Sequence, residues 1–335
     1  MELTESVYLC EKSGQLNKNS IGWSRTPKHI CNLKGSWLRK KKWNHWLITS
    51  DVFLFNVTLI HLDYIGIAFT YVYDYERQQF WEEQLSIPFG IGCELPPCAD
   101  DDFTFSHPRL SFSSKQDVSR KARNLVVNSF GRDPWISAQF VIQQPDAYES
   151  LNVVIPWDQQ RFHFTSKQNC LPVQGLVRIG DREFHCKEGV SFAALDVGRG
   201  IWPYRSFWNW ATCSGEVDQK AFGFNLGAGW TDGTGVNENA LFLDNRVYKL
   251  EEDVVFTYDR TNLLQPWQIL SQLSSDVQIA FTPFDRRIVR NQAGILSSTL
   301  QQVFGHFSGT VRTQDGERIS FDRLIGCVEE HQAKW

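Results

Sequence analysis

The chain has 335 residues, of which 42% are hydrophobic and 21% are charged, a composition typical of a folded globular protein with about two domains. Its net charge of −4 gives no electrostatic reason to expect nucleic acid, and no apolar run reaches the roughly eighteen residues of a membrane span. The first residues lack the features of a signal peptide, and the eight cysteines are scattered, so we expect reduced thiols and a cytoplasmic location.

Residues 1–36 are polar and irregular, and we expect them to form an N-terminal arm that wraps the folded body. They lead into a short basic run, which consists of Lys34 and residues 39–42. Such a run is usually solvated surface, and contact with an anionic membrane is the alternative.

Segments rich in Val, Phe, Tyr, Thr and Trp begin at Trp43, and these residue types favour strands. Residues 85–125 instead contain turn formers and acidic residues. They are predicted to be a loop-rich insertion in which residues 93–104 are exposed.

Residues 196–212 concentrate a carboxylate, two arginines and three tryptophans. Gly198, Gly200 and Pro203 predict a turn in the first half, and the chain from Tyr204 onward predicts a strand. Arginine and asparagine interleaved with indoles are typical of a binding site with apolar walls and a few polar groups. An aromatic core strand with a surface arginine is the alternative.

The second half of the chain repeats the order of the first half. The matched pairs are Trp43 with Trp208, Asp74 with Asp244, Pro134 with Pro266, Gly175 with Gly309, and Asp196 with Glu329. The offset is 165 residues for the first pair and 133 for the last, and the shortening falls where composition marks the insertion.

Each half is predicted to be a run of short antiparallel strands, and closure into a barrel would hide the strand edges. We therefore predict an all-β fold with two tandem antiparallel barrels, and a pair of β-sandwiches is the alternative. The first barrel is expected to span residues 37–195 and the second barrel residues 196–335.

Five segments carry a resemblance to a known family, and they span nearly the whole chain: residues 22–25, 42–46, 196–211, 237–239 and 304–309. Through them the sequence resembles the uncharacterised bacterial family of domain of unknown function 2804. The architecture is also similar to the tandem lipocalin-like barrels of carotenoid hydratases, tocopherol cyclases and fungal survival-factor proteins. That similarity implies lipocalin-like barrels and an apolar or isoprenoid-like ligand. At residues 196–200 this chain keeps the carboxylate and a glycine of the hydratase signature but lacks its histidine and tryptophan.

Two carboxylates are assigned to acid–base catalysis. Asp196 lies close in sequence to Arg199 and Arg205, and because a nearby arginine favours the carboxylate form, it is assigned as a base or binding anchor. Glu238 is assigned as the acid, because a carboxylic acid in an apolar cavity keeps its proton. The alternatives are a structural ion pair between Asp196 and Arg199, and a structural role for Glu238.

Ligand binding is assigned to polar side chains from the same part of the chain: Arg199, Tyr204, Arg205, Asn209, Asn225 and Asn239. Asn225 lies on the glycine-rich face of the strand from Phe222 to Trp230, which a ligand or another backbone can approach closely. We also predict that one pocket is formed by Asp196, Arg199, Arg205, Trp208 and Glu238, with Trp208 packing as core.

These features predict binding of a lipid or isoprenoid-like apolar ligand, with or without acid–base isomerisation, hydration or cyclisation. A non-catalytic intracellular lipid carrier and a structural stress-related protein with filled barrels are the alternatives, so whether the protein is an enzyme stays open. The partner is expected to be a small apolar or amphipathic molecule. No metal site is predicted, since Cys93 and Cys98 lack zinc-site spacing, and no nucleotide loop predicts a cofactor.

Overall fold

The computed structural model describes residues 1–335, which form two compact units. Unit 1 comprises residues 1–154 and 158–201, and unit 2 comprises residues 155–157 and 202–335. Both are built from antiparallel strands, which confirms the predicted all-β class. No helix has the length and apolar composition that a membrane-spanning helix requires.

Unit 1 contains a thirteen-stranded sheet and a separate parallel pair formed by the first and third strands. Its strands are β1 (Val7–Tyr8), β2 (Trp23–Ser24), β3 (His29–Ile30), β4 (Lys40–Thr49), β5 (Phe53–His61), β6 (Ile65–Asp74), β7 (Gln79–Pro88), β8 (Phe103–His107), β9 (Leu110–Asp117), β10 (Ala122–Ser129), β11 (Ile136–Gln143), β12 (Leu151–Pro156, whose last two residues belong to unit 2), β13 (Phe162–Ile179), β14 (Arg182–His185) and β15 (Phe192–Ile201). Two short 3-10 helices, Lys18–Ser20 and Val118–Arg120, connect strands.

The main path of this sheet runs β7-β6-β5-β4-β15-β13-β11-β10-β9-β8. Phe55 of β5 packs against Phe140 of β11 with their ring centroids 5.0 Å apart, although three strands separate β5 from β11 in the sheet. The sheet therefore curls around an apolar interior, as a lipocalin-like barrel requires.

Unit 2 contains a nine-stranded sheet in the order β19-β18-β17-β16-β24-β23-β22-β21-β20. Its strands are β16 (Arg205–Val217), β17 (Lys220–Ala228), β18 (Ala240–Leu243), β19 (Arg246–Lys249), β20 (Val254–Thr257), β21 (Trp267–Ser271), β22 (Val277–Ala293), β23 (Leu296–Arg312) and β24 (Arg318–Lys334). Phe224 of β17 meets Phe307 of β23 at 5.0 Å across two intervening strands, so this sheet curls in the same way.

The strand register confirms the internal repeat. His45 on β4 faces Asp196 on β15, and Trp210 on β16 faces Glu329 on β24. Trp210 lies 165 residues after His45 and Glu329 lies 133 residues after Asp196, the same offsets that the sequence gives for the first and last matched pairs. Two copies of one strand arrangement therefore follow each other along the chain.

Two of the matched pairs are wrong in detail. Pro134 precedes β11, whose counterpart in unit 2 is β22, whereas Pro266 precedes β21, the counterpart of β10. The register of the second pair differs by one residue, because Asp74 corresponds to Leu243 rather than to Asp244. A shared Pro-Trp pair or a shared aspartate is too short a signal to fix strand register.

The predicted loop-rich insertion contains strands β8 and β9 and the start of β10, so that prediction is wrong. Phe103 and Phe105 are buried, and so is Cys93 between the strands, which also excludes an exposed segment throughout residues 93–104. The alternation of apolar and polar residues on β8 dominates over the turn formers that precede it. The N-terminal arm likewise contributes to the core of unit 1, through Leu9, Cys10, Leu16 and Cys31.

Candidate functional site

Asp196 lies in the middle of β15, on the face of the sheet opposite the apolar core of unit 1. Leu195 and Val197 belong to that core, and side chains alternate along a strand, so the Asp196 carboxylate takes the other face. The predicted turn is wrong for residues 196–201, because Gly198 and Gly200 continue the strand. Unit 1 accordingly ends after Ile201 and not at residue 195.

Three side chains donate hydrogen bonds to the Asp196 carboxylate. The Lys167 ammonium lies 2.8 Å from Oδ1, the Thr165 hydroxyl lies 3.3 Å from the same oxygen, and the indole Nε1 of Trp43 lies 3.2 Å from Oδ2. Lys167 and Thr165 are buried, whereas 18% of the Asp196 side chain remains exposed. Donors from β4 and β13 therefore hold this carboxylate in a fixed position and leave part of it open.

Gly198 is small because the Trp43 indole lies against it. The two residues face each other across β15 and β4, and a Cβ atom at Gly198 would lie 2.1 Å from the indole ring. Any larger residue would displace the ring from its bond to Asp196. The glycine that suggested a turn thus permits a close aromatic contact.

His163 completes the aromatic wall beside Asp196. Its ring stacks on Trp43, with ring centroids 4.6 Å apart and an angle of 23° between the planes. Burial, together with the positive charges of Lys167 and Arg199, holds the pKa of His163 well below its ordinary value of 6.5. The imidazole is therefore neutral near neutral pH and contributes an uncharged surface.

Arg199 lies on the core-facing side of β15, so it does not form the predicted ion pair with Asp196. Its guanidinium donates to the backbone oxygens of Trp43 and Pro96 and to Oδ1 of Asn44, at 2.6, 3.0 and 2.7 Å. Burial lowers the pKa of Arg199 to about 10, which leaves the group charged at neutral pH. Arg199 ties β15 to its surroundings, and its assignment to ligand binding stays a prediction.

Unit 2 carries the matching cluster at Glu329. The indole Nε1 of Trp208 lies 3.5 Å from Oε2 of Glu329, and the amide Nε2 of Gln302 lies 2.7 Å from Oε1. Gln302 faces Glu329 across β23 and β24, just as Lys167 faces Asp196 across β13 and β15. Both units therefore hold an indole, a carboxylate and a donor at equivalent positions.

Glu238 lies on the same face of unit 2. Its side chain is buried, and Oε1 accepts a hydrogen bond of 2.9 Å from the indole of Trp230. A Cβ atom on Gly227 would lie 2.2 Å from Oε1, so the glycine face of β17 gives room to the Glu238 carboxyl group. The backbone oxygen of Glu238 accepts from Asn225, which in turn accepts from the indole of Trp210.

The three asparagines assigned to binding are buried and hydrogen-bonded within unit 2. Asn225 links Trp210 to the Glu238 backbone as described, and Oδ1 of Asn239 accepts from the backbone N–H of Gly227 at 2.7 Å. Asn209 lies on the core-facing side of β16 and donates to the Tyr258 hydroxyl at 3.0 Å. The contacts of Asn225 and Asn239 order the strands around Glu238, and ligand contact by all three asparagines stays a prediction.

Tyr204 and Arg205 lie where the chain enters β16. The Tyr204 hydroxyl donates to the backbone oxygen of Ile295 at 2.6 Å, and the Arg205 side chain is exposed. Of the five residues predicted to share a pocket, Asp196 and Arg199 belong to unit 1 and the other three to unit 2. A single pocket for all five is wrong, because Asp196 and Arg199 lie on opposite faces of β15.

Two residues of this cluster, the buried donors Lys167 and Thr165, are absent from the sequence-based predictions. A signal for them exists, because Phe162 and Phe164 alternate with polar residues on β13, and a lysine in a long strand of this kind needs an anionic partner. No group of three or more His, Cys, Asp and Glu side chains is arranged to hold a metal ion. All eight cysteines are free thiols.

Comparison with known proteins gives one family and several fold neighbours. The profile of the family described as "Domain of unknown function (DUF2804)" matches residues 1–335. A structure described as ATTH (NE1406) from Nitrosomonas europaea aligns with a TM-score of 0.53 and 12% identity, over 88% of this chain and 92% of that one. No curated protein matches the sequence.

Two further structures align over 88% of both chains. Kievitone hydratase from Nectria haematococca aligns with a TM-score of 0.55 and 7% identity. CghA aligns with a TM-score of 0.51 and 8% identity. At these identities the similarity establishes the tandem lipocalin-like fold alone.

Proposed function

The chain belongs to the DUF2804 family, and we propose that it binds a lipid- or isoprenoid-sized apolar ligand and carries out acid–base chemistry on it, with Asp196 of unit 1 as the base. The observation that carries this proposal is the Asp196 carboxylate, which three donors hold while part of it stays open. A base must be fixed in position yet reachable, and the aromatic wall of Trp43 and His163 suits an apolar molecule.

The barrel interiors are packed with side chains. This packing favours a ligand site on the face of the sheet that carries Asp196 and not a site inside a barrel. Phe55 and Phe140 meet across the interior of unit 1 at 5.0 Å, and Phe224 and Phe307 meet across the interior of unit 2 at 5.0 Å. Rings at these separations are in contact, so side chains occupy this part of each barrel. A carrier that stores its ligand there would need that space.

The proposed reaction class is isomerisation, hydration or cyclisation. In a hydration, the Asp196 carboxylate takes a proton from the attacking water as the water oxygen bonds to one carbon of a polarised double bond, and the π electrons of that bond move to the second carbon. That second carbon then takes a proton from an acid, and the assignment of Glu238 as an acid stays a separate prediction. Hydration is also the activity in the name of kievitone hydratase, one of the fold neighbours.

The free thiols support the proposed cytoplasmic location, since a reducing compartment keeps cysteines unpaired.

The test begins with identification of the ligand by organic extraction of the purified protein and mass spectrometry. Turnover of the extracted compound is then compared for Asp196→Asn and Glu329→Gln, because Glu329 is the equivalent carboxylate in unit 2. We expect Asp196→Asn to lower turnover by about 10²–10⁴-fold with folding preserved, and Glu329→Gln to leave it nearly unchanged.

Three outcomes decide between this function and its alternatives. Equal turnover by Asp196→Asn and the wild-type protein contradicts the assignment of Asp196. A bound ligand that is recovered unchanged, with no turnover in any variant, indicates a carrier. Absence of any apolar compound from the extract, together with no binding of lipids added afterwards, indicates a structural protein. Glu238→Gln tests the acid separately and should also lower turnover.

A further inference from the structure

Two loops of unit 1 expose large apolar side chains at the same end of the sheet. The first loop, residues 35–39, carries Trp37, which is 68% exposed. The second loop, residues 89–92, carries Phe89 and Ile91, which are 63% and 74% exposed. Isolated exposed apolar residues are common, but three of this size on adjacent loops form a feature that needs an explanation.

The turn between β5 and β6 brings the two loops together. Lys40, directly after the first loop, forms an ion pair of 3.3 Å with Asp63 in that turn. The backbone N–H of Phe89 donates to the backbone oxygen of Tyr64 at 2.9 Å, and Gly90 lies against His61. Both loops therefore flank residues 61–64.

Each loop contains one bulky residue in an unfavourable backbone conformation. Leu38 has a φ of 71° and Phe89 a φ of 56°, in the left-handed region that bulky residues rarely adopt. The surrounding contacts compensate this cost, since Lys40 also donates to the backbone oxygen of Gly35 at 2.9 Å. Strain of this kind concentrates in segments that bind or clamp a partner.

The charge around the first loop is positive. Residues 34–42 contain five lysines and arginines and no acidic residue, although the whole chain carries a net charge of −4. Lys34 is exposed, and Arg39, Lys40 and Lys42 are partly exposed. Aromatic and aliphatic side chains beside basic ones are the combination that enters the interface of an anionic bilayer.

We infer that residues 35–39 and 89–92, with the basic residues beside the first loop, form a surface that docks on membranes containing anionic lipid. Trp37, Phe89 and Ile91 enter the boundary between headgroups and acyl chains, while Lys34 and Arg39 contact lipid phosphates. This surface lies outside the proposed catalytic cluster, so the inference stands or falls independently of the proposed function.

The experiment measures co-sedimentation of the full chain with two kinds of vesicle, pure phosphatidylcholine and an equal mixture of phosphatidylcholine and phosphatidylglycerol. We expect binding to the mixed vesicles that weakens as salt is raised. Lys34→Gln combined with Arg39→Gln should weaken it about fivefold for each charge removed. A triple change of Trp37, Phe89 and Ile91 to serine should weaken it by about tenfold or more.

The matched control changes three apolar residues elsewhere to serine: Val118, Leu273 and Ile295, which are 83%, 87% and 79% exposed and so more exposed than the loop residues. This control and Asp196→Asn should bind mixed vesicles as the wild-type protein does. Melting temperatures confirm that each variant folds. A second measurement does not depend on the triple variant. The fluorescence of Trp37 is the difference between the wild-type protein and Trp37→Phe, and brominated phosphatidylcholine in the mixed vesicles should quench it.

Several results would overturn the inference. Equal binding by the wild-type protein and both loop variants would do so, as would equal binding to neutral and mixed vesicles. In a further such result, the wild-type protein binds neither kind of vesicle but binds a protein partner that the loop variants do not bind. That result would show that the surface docks on a protein instead. Loss of binding in the control variant would show a general effect of exposed apolar residues.

Discussion

Units 1 and 2 each contain a cluster of an indole, a carboxylate and a donor at equivalent positions, but the donor and the residue opposite the indole differ. In unit 1 the cross-strand donor to Asp196 is the ammonium of Lys167, whereas in unit 2 the donor to Glu329 is the amide of Gln302. Opposite the indole, unit 1 has Gly198, and unit 2 has His331, whose ring packs edge-on to Trp208 at 4.0 Å.

Some residues of the cluster are common to both units, and others occur in one unit only. The indole and the carboxylate occur in both units, so they belong to the shared strand arrangement. The lysine and the glycine are specific to unit 1, where they provide a charged donor and room for the ring to lie flat. This difference is the reason to assign the reactive carboxylate to unit 1.

The largest expected effect comes from removal of the cross-strand donor. Lys167→Met leaves the Asp196 carboxylate without its ammonium, and we expect the free energy of unfolding to fall by about 3 kcal/mol. This is the lower end of the range for buried pairs, because the carboxylate is partly hydrated. Gln302→Met should cost less, about 1–2 kcal/mol, since a neutral donor is lost. Urea denaturation measures both, and an equal loss would contradict the distinction between the units.

The two buried histidines should give the protein a pH dependence from both units. Burial lowers the pKa of His331 to about 3, and the pKa of His163 is also well below 6.5. The unfolded chain binds these protons first, so stability should fall as pH decreases from about 6.5 towards 3. For His331 alone the loss is about 2–3 kcal/mol by pH 4.5.

Replacement of His331 by phenylalanine should remove its share of this slope and leave the share of His163. Unfolding by urea at a series of pH values measures the difference. A slope unchanged by His331→Phe would show that the imidazole is protonated to the same extent in the folded and unfolded chain.

Gly198→Ala tests the close contact between Gly198 and Trp43, which unit 2 replaces with the contact between His331 and Trp208. The added methyl group conflicts with the Trp43 ring, and we expect a loss of about 1–3 kcal/mol together with a changed indole fluorescence. In Trp43→Ala the same glycine substitution should cost much less, because the ring is absent. Additive effects of the two changes would exclude the contact as the cause.

The smallest effect is expected when unit 1 receives the residues of unit 2. Asp196→Glu combined with Lys167→Gln reproduces the carboxylate and amide pair of Glu329 and Gln302. The double variant should lose less than about 1 kcal/mol, because replacing both partners of an ion pair is tolerated better than removing one. A loss as large as that of Lys167→Met would show that the residues around the pair, and not the pair itself, determine its contribution to stability.

The fold could be predicted because its signals are local. Strand composition, alternation and the repeat with Glu329 as partner of Asp196 are all visible along the chain. The partners of Asp196 could not be predicted from the sequence, because strand pairing brings Trp43 to Asp196 from 153 residues away. Proximity in sequence favours Arg199 as the partner of Asp196, but three residues along a strand place it on the opposite face. Gly198 has the same appearance in sequence whether it forms a turn or accommodates a ring.

The short segment of residues 155–157 has a consequence for how the protein is made. Trp157 belongs to unit 2, where its indole donates to the backbone oxygen of Trp230 at 2.8 Å and its ring packs on Trp202 at 4.8 Å. During synthesis this residue leaves the ribosome before β13 and β15 of unit 1. Trp157 therefore emerges before most of the unit in which it packs has been translated. Division of the gene after Ile201 would place Trp157 on a different polypeptide from Trp202 and Trp230, the residues it packs against.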